Sequence, residues 1–221
     1  MKVYGDRGSS NTRRVLTTAA YLGLEIEFVF VDLFSGQNRT PQYLALNPNG
    51  TIPTFVDGEV MLFEASAIMI YLAEKVSSPL LPAGNAKYET LKWMFWAAEH
   101  FRRGPTVLIE QRFMDRLKGH EEDETLVAEA LQAINRYTAV LDGHLRGRQF
   151  VVGDAPTLAD FDLASPLSHI PRTRAPFLEY PHVAAWYERV NKLTAWQATG
   201  VAQEHRICEI ERLFKPVQSW A

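Results

Sequence analysis

Strand-forming segments are confined to the first third of this 221-residue chain, and helical segments fill the rest. Lys2 to Tyr4 is prone to β-structure, Thr12 to Leu22 has helical spacing, and Ile26 to Val31 is a β-branched and aromatic run. These segments predict a βαβ unit with a right-handed crossover between parallel strands. Because both runs are apolar, we expect both strands in the interior of one sheet.

A β-hairpin and a third helix are predicted next. Thr51 to Leu62 holds two short apolar runs joined by Asp57-Gly58, a pair whose backbone suits a two-residue type I′ turn. Glu64 to Lys75 carries apolar residues at helical spacing, and Pro79 and Pro82 follow its end. The predicted order is therefore β-α-β, a linking segment, and β-β-α.

The strand signals vanish from Lys87 onward, where helical segments are separated by glycine and proline residues. Strands gathered before a purely helical half are typical of two packed domains. We therefore predict an α/β domain over residues 1–78, a linker over 79–86 and an all-α domain over 87–221.

Composition argues against several classes of function. The formal net charge is −3, and no cluster of Lys and Arg resembles the basic stripe that nucleic-acid binding needs. The longest apolar stretches are about half of the roughly 20 residues that span a bilayer, and the amino terminus lacks the apolar core of a secretion signal. Cys208 is the only cysteine, so no intrachain disulfide can form. We expect a cytoplasmic protein that binds neither nucleic acid nor membranes.

Two motifs resemble the glutathione transferases: Asn47–Pro53 (NPNGTIP) and Leu62–Ile68 (LFEASAI), the latter followed by Tyr71 and Leu72. The opening segment, with Ser9, Asn11, Arg14 and Val15, is most similar to the serine-type phi class and its bacterial relatives. Gly153–Phe161 (GDAPTLADF) resembles the family's capping segment before a buried helix. Its residues predict on their own a capping box between Thr157 and Asp160.

This resemblance implies a fold, a co-substrate and partners. The α/β domain would be a thioredoxin-like domain that binds glutathione, and the helical bundle domain would follow it. The protein would be a homodimer that directs the glutathione thiolate onto a small-molecule electrophile, a peroxide or a disulfide. No His-Glu-x-x-His spacing occurs, so we predict no metal.

Ser9 is the predicted thiol-activating residue. It precedes the first helix, where a hydroxyl and free helical amides create positive potential. By resemblance its hydroxyl would donate to the thiolate, while Ser10 and Asn11 hold positions that some bacterial relatives use for this task. The alternative is that the Ser-Ser-Asn run only caps the helix.

Five further positions are predicted to bind glutathione by resemblance. The amide and carbonyl of Ile52 would pair with its cysteinyl backbone, turned outward by a cis peptide bond at Pro53, and Thr51 is a further binding position. A trans proline entering an edge strand is the alternative to the cis bond. Glu64 would bind the ligand's ammonium group, and the amides that open the third helix would bind the γ-glutamyl carboxylate. Ser66 is the fifth position.

The chain departs from the family at two positions. Ala65 stands where a serine usually binds the carboxylate, which removes a hydrogen bond to a charged group unless Ser66 substitutes. Asn38 and Arg39 replace a His-Lys pair, and Arg39 either binds the glycyl carboxylate or is a solvated loop cation.

Trp96 and His100 are predicted as residues of the electrophile pocket because they share a helical face, although such a stripe is usually core.

The departures at Ala65 and Asn38-Arg39 favour a second interpretation of the whole chain, a non-catalytic docking or dimerisation module of the same fold.

Overall fold

The computed structural model describes residues 1–200, which begin with a four-stranded mixed sheet in the order β2-β1-β3-β4. The β1 and β2 strands are parallel, whereas the β1–β3 and β3–β4 pairs are antiparallel. The strands are β1 Lys2–Gly5, β2 Glu27–Phe30, β3 Thr54–Asp57 and β4 Val60–Phe63. The predicted βαβ unit and hairpin are thus confirmed.

Two details of the sheet differ from the prediction. The β2 strand lies at an edge rather than in the interior, and Glu27 is exposed there in an ion pair with Lys2 at 3.0 Å. The hairpin turn is Gly58-Glu59, because Asp57 still pairs with Val60. Only Gly58 has positive φ, at 60°, which is the pattern of a type II′ turn rather than a type I′ turn.

Three helices accompany the sheet: α1 Ser10–Tyr21, α2 Pro41–Leu46 and α3 Ala65–Lys75. The short α2 helix was not predicted, although its start signal is present in the sequence. Thr40 caps it by accepting a hydrogen bond from the Tyr43 amide, and Pro41 occupies its first turn. The α1 and α3 helices pack against each other.

The described residues after α3 form helices and turns, as predicted. None of the helices within residues 1–200 combines the length and the apolar character that crossing a membrane requires. The α4 helix begins at Asn85, inside the predicted linker. The α-helices are α4 Asn85–Trp96, α5 Arg103–Ile109, α6 Asp115–Leu117, α7 Glu124–Leu145, α8 Leu158–Ala164, α9 Ile170–Thr173 and α10 Pro181–Asn191, and residues 194–200 are helical. Short π-helical segments are Ala97–Phe101 and Glu110–Met114, and 3₁₀ segments are Gln37–Arg39, Ser165–His169 and Pro176–Glu179.

One hydrophobic core runs through both parts of the chain. Val3 and Phe55 of the sheet belong to the same buried cluster as Phe161 and Trp186 of the helical part. The α1 helix contacts α8 and the turn after it, so the helix behind Ser9 is buried between the two halves.

The predicted capping box opens α8. The fully buried Asp160 carboxylate accepts from the Thr157 amide at 2.8 Å, and it also accepts from the Val151 amide at 2.9 Å and from Trp186 Nε1 at 2.8 Å. These donors satisfy a carboxylate whose burial raises its pKa. Asp160 therefore joins α8, α10 and the preceding loop.

We predict that Asp160→Ala lowers the free energy of unfolding by roughly 3 kcal/mol or more, because four buried donor groups, the Thr157 hydroxyl included, lose their acceptor. Urea denaturation followed by circular dichroism measures this loss. The exposed Asp154→Ala, in the same loop, is the control and should stay within about 0.5 kcal/mol of the parent. Equal losses in both variants would contradict this role.

Candidate active site

Two adjoining cavities lie beside the start of α1. The Arg14 cavity has a volume of ≈ 160 Å³ and the Ser9 cavity ≈ 250 Å³, and Asn11 lines both. The Arg14 cavity is lined by Asn11, Arg14, Thr51, Ile52, Pro53, Glu64 and Ala65. The Ser9 cavity is lined by Asp6, Gly8, Ser9, Ser10, Asn11, Leu33, Phe34, Thr106, Ile109, Phe113, Met114, His169 and Arg172.

Ser9 both caps α1 and lines a cavity. Its backbone is extended, and its Oγ accepts a hydrogen bond from the Thr12 amide at 3.4 Å. A hydroxyl that accepts from an amide still has its own proton to donate. Ser10 and Asn11, in the first turn of α1, line the same cavity. Ser9 therefore caps the helix, as the alternative interpretation has it, and also lines the cavity.

Asn11 stands between the cavities with a fixed orientation. Its Oδ1 accepts from Arg14 Nη2 at 2.9 Å, which leaves the Asn11 amide group as a donor. The same guanidinium donates from Nη1 to Ser66 Oγ at 2.8 Å. Ser66 contacts the site through Arg14 and is not among the residues that line either cavity.

The peptide bond between Ile52 and Pro53 is cis, as predicted. The carbonyl oxygen of Thr51 is occupied by Tyr43 Oη at 2.7 Å and Asn47 Nδ2 at 2.9 Å. Among the hydrogen bonds of the described residues, none uses the amide or carbonyl oxygen of Ile52. Ile52 lines the Arg14 cavity, and a free backbone amide and carbonyl are the groups that pair with a peptide-like ligand.

Glu64 precedes α3 in a backbone conformation that is rare outside glycine, with φ 69° and ψ 107°. Such conformations cost about 1–3 kcal/mol and cluster at functional sites. Its side chain is exposed and makes no hydrogen bond within residues 1–200. Ala65, the first residue of α3, is 2% exposed, lines the Arg14 cavity and has no side-chain hydroxyl.

Besides Ser66, three predicted site residues lie outside both cavities. Arg39 is exposed, and its Nη1 donates to the Asn49 carbonyl oxygen at 3.3 Å. Trp96 packs on Phe101 with ring centroids 5.6 Å apart, and His100 stacks on Tyr137 at 5.4 Å. The helical part lines the Ser9 cavity with side chains of the second π-helical segment and its neighbours instead.

A buried ion-pair cluster supports the Arg14 cavity. Arg14 and Arg102 both form ion pairs with Asp162 Oδ1, and Arg102 Nη2 also donates to the Asp162 carbonyl oxygen at 3.0 Å. Burial, together with the nearby charge of Arg102, holds the pKa of Arg14 well below its usual value. Burial lowers the pKa of Arg102 to about 10.

The comparisons with known proteins cover both parts of the chain. Residues 1–74 match the family model of the glutathione S-transferase N-terminal domain, and residues 84–193 match the C-terminal domain. The chain belongs to the glutathione S-transferase family. Glutathione S-transferase 3 of Zea mays is 35% identical over 209 residues, which cover 91% of this chain and 94% of the relative.

Solved structures of family members share the fold. Glutathione transferase F7 from Populus trichocarpa superposes with a TM-score of 0.86 at 27% identity, covering 91% of this chain and 98% of that one. The theta class glutathione S-transferase of Xanthomonas axonopodis pv. citri, solved with glutathione bound, gives 0.83 at 31% identity over 90% and 95%. The predicted resemblance to phi-class and bacterial glutathione transferases is confirmed.

Sequence reasoning missed the importance of Arg14, Arg102, Asp162 and His169. One signal was available for the first of these. The α1 helix carries the consecutive cations Arg13 and Arg14 in a segment without acidic residues, and charged side chains inside a buried helix need partners. The identity of those partners could not be inferred, because Asp162 is 148 positions away along the chain.

The predicted absence of a metal and the single cysteine, Cys208, are not tested by these observations. Within residues 1–200, no three His, Cys, Asp or Glu side chains lie close enough together to hold a metal ion, and the absence of a metal from the reaction stays a prediction. Cys208 lies outside the described residues.

His169 gives the Ser9 cavity a buried imidazole, and burial beside Arg172 and Arg13 lowers its pKa from 6.5 to about 3. The unfolded state therefore binds a proton near pH 6.5 that the folded state binds only near pH 3. We predict that the free energy of unfolding falls as pH drops from about 6 to 4, by up to about 1.4 kcal/mol per pH unit from this residue.

Urea denaturation at several pH values, for the parent and for His169→Gln, isolates that contribution. The variant should lose less stability than the parent as the pH falls. Parallel pH profiles for the two proteins would contradict the burial of a neutral imidazole.

Proposed function

We propose that the protein binds reduced glutathione in the Arg14 cavity, ionises its thiol beside Ser9 and directs the thiolate onto an acceptor in the Ser9 cavity. The observation that carries the proposal is the position of Ser9, which caps α1 and lines the Ser9 cavity. Asn11 lines both this cavity and the Arg14 cavity, so the two cavities adjoin beside Ser9. The acceptor is an electrophilic carbon, a peroxide or a disulfide.

Thiolate stabilisation is the main catalytic task. A free thiol has a pKa near ~8.5 and is only a few per cent ionised at neutral pH. Ser9 donates a hydrogen bond to the sulfur, and the free amides of the first turn of α1 add positive potential. Lowering the thiol pKa by two units requires about 2.7 kcal/mol.

The Arg14 cavity offers complementary groups for the rest of glutathione. The free amide and carbonyl oxygen of Ile52 pair with the cysteinyl backbone, as an added strand would. The exposed Glu64 carboxylate binds the ammonium of the γ-glutamyl group. The first amides of α3 face its carboxylate. Thr51 completes the cavity wall, and Arg39 is the candidate partner of the glycyl carboxylate from outside it.

The Ser9 cavity suits an apolar acceptor. Leu33, Phe34, Phe113 and Met114 form much of its wall, with His169 at one side. An apolar acceptor held beside the thiolate gains from proximity and from the exclusion of water. Trp96 and His100 do not line this cavity, so we assign acceptor binding to the wall residues instead.

We predict that Ser9→Ala moves the pKa of bound glutathione back toward ~8.5 and lowers kcat/KM about 100-fold near pH 6, because the thiolate loses its donor. Thiolate ultraviolet absorbance against pH measures the pKa, and calorimetry measures the affinity. The affinity should change much less than the rate. Loss of the cap should lower stability by about 1 kcal/mol.

Ser9→Thr keeps a hydroxyl and serves as the matched control, with the thiol pKa staying near that of the parent. An unchanged pKa in Ser9→Ala would contradict the assignment. A shift in Ser10→Ala or Asn11→Ala instead would transfer the activating role to that residue.

We also propose a homodimer, supported by exposed apolar side chains on two elements. Tyr88 and Phe95 lie two turns apart on one face of α4 and are 71% and 63% exposed. Met61 and Phe63 point to one face of the edge strand β4 and are also exposed, whereas Phe55 is core. Exposed apolar groups of this kind mark interaction surfaces.

We predict that Phe95→Glu converts a dimer into a monomer, because a carboxylate would be buried at the interface. Size-exclusion chromatography with light scattering gives the molecular mass. Leu178→Glu, at a side chain 48% exposed on a different element, is the control and should remain dimeric. A parent protein that is monomeric would contradict the proposal.

A cytoplasmic location is proposed because the single cysteine allows no intrachain disulfide.

The second candidate function, a non-catalytic docking module, is favoured by one observation, the missing hydroxyl at Ala65. Absence of glutathione binding at millimolar concentration would favour that module over the enzyme.

A further inference from the structure

His169 is a buried polar side chain in the wall of the Ser9 cavity. The residue is 9% exposed, its Nδ1 is completely buried, and within residues 1–200 neither ring nitrogen makes a hydrogen bond. Burying a polar group without a partner costs free energy. Packing alone does not account for a histidine here, because an apolar side chain of similar shape would fill the position without that cost.

The imidazole of His169 is neutral at physiological pH, because burial and the charges of Arg172 and Arg13 lower its pKa to about 3. A neutral imidazole has one N–H donor and one acceptor nitrogen. Buried N–H groups without an acceptor are rarer than buried acceptors without a donor, so we assign the proton to Nε2 and the lone pair to Nδ1. Among the described residues, Nε2 is not one of the completely buried, unpartnered atoms, so its N–H is the group that His169 offers the cavity.

The Ser9 cavity places this donor where the acceptor reacts in the proposed function. Ser9 and His169 both line the cavity, and much of the remaining wall is apolar, with Leu33, Phe113 and Met114. In such surroundings a fixed donor stabilises negative charge that develops on an oxygen atom, and a neutral imidazole N–H can polarise a carbonyl group in this way. The acceptor that benefits most is one whose oxygen gains charge when the thiolate attacks.

The two charged side chains of the wall are less suited to this task. The Asp6 carboxylate only accepts hydrogen bonds when ionised, and its Oδ1 already accepts from the Gly8 amide at 2.7 Å. Arg172 lies over the Phe113 ring, with 5.4 Å between Cζ and the ring centroid, and has a further interaction partner. The donor of His169 has no partner within the part of the chain that the structure describes.

We propose that His169 donates a hydrogen bond to the carbonyl oxygen of the acceptor, and that the enzyme therefore favours α,β-unsaturated carbonyl compounds. The proposal rests on the proposed function and names a substrate class within it. The thiolate sulfur forms a bond to the β-carbon, and the π electrons of the C=C bond move toward the carbonyl oxygen to give an enolate, which Nε2–H stabilises. Water then protonates the α-carbon, and the resulting hydroxide takes up the proton that the thiol released on ionisation. No leaving group departs.

The test compares two acceptors that share a styryl group. Benzylideneacetone is a conjugated ketone, whereas cinnamyl chloride releases a weakly hydrogen-bonding chloride ion. For each acceptor, kcat/KM with glutathione is measured in the parent and in His169→Leu. The variant should lower kcat/KM for the ketone about ten- to a hundredfold, because the developing oxyanion loses a donor. For the chloride the change should be less than about threefold.

His169→Gln is the matched control, because its side-chain amide restores an N–H donor of similar reach. It should recover most of the activity toward the ketone, whereas His169→Asn, whose amide is one methylene shorter, should resemble His169→Leu. This polar pair also provides the comparison if His169→Leu does not fold. A second readout is the infrared carbonyl band of bound benzylacetone, the unreactive saturated ketone, which should lie at lower wavenumber in the parent than in His169→Asn.

Each contrary result has a distinct meaning. Equal losses for the ketone and the chloride in His169→Leu and His169→Asn would assign His169 a packing role and overturn this proposal alone. Turnover of the chloride but not of the ketone by the parent would also overturn it and leave the proposed function intact. Absence of glutathione binding by the folded parent would overturn the proposed function and this proposal with it.

Discussion

The ion pairs of Arg14 and Arg102 with Asp162 join the α/β part of the chain to its helical part, and the site depends on that connection. Asp162 lies in α8, whose start is fixed by the buried hydrogen bonds of Asp160. The capping box therefore contributes to more than local stability. It sets the position of the carboxylate that holds Arg14, and Arg14 in turn orients Asn11 between the two cavities.

The α1 helix connects the ion-pair cluster to the two cavities. Its N-cap residue Ser9 and its first-turn residue Asn11 face the cavities, while the opposite side of the helix is anchored in the helical part. Arg13 lies over the Trp196 ring at 3.9 Å, and Thr17 and Thr199 hydrogen bond at 2.9 Å. A hydroxyl fixed at a rigid helix terminus loses little free energy to reorganisation when a thiolate forms beside it.

Local signals in the sequence predicted much of the fold. Periodicity and the position of Asp57-Gly58 indicated the βαβ unit and the hairpin, and the family motifs located the cis proline and Glu64. The edge position of β2 was missed because an apolar run does not reveal whether both neighbours of a strand exist. The α2 helix was missed although Thr40 and Pro41 mark its start.

The tertiary part of the site could not be read from local patterns. Asp162 and His169 are brought to α1 by the packing of the helical part, more than 145 positions further along the chain. Trp96 and His100 were chosen on helical spacing, which identifies a shared face but not what that face contacts. They pack with Phe101 and Tyr137, whereas the π-helical segment Glu110–Met114 supplies two side chains of the cavity wall.

The most direct test of this account is a crystal structure of the protein with reduced glutathione bound. We expect the sulfur within hydrogen-bond distance of Ser9 Oγ and the cysteinyl backbone paired with Ile52. A sulfur atom bound to a different group, or glutathione bound outside the Arg14 cavity, would contradict it.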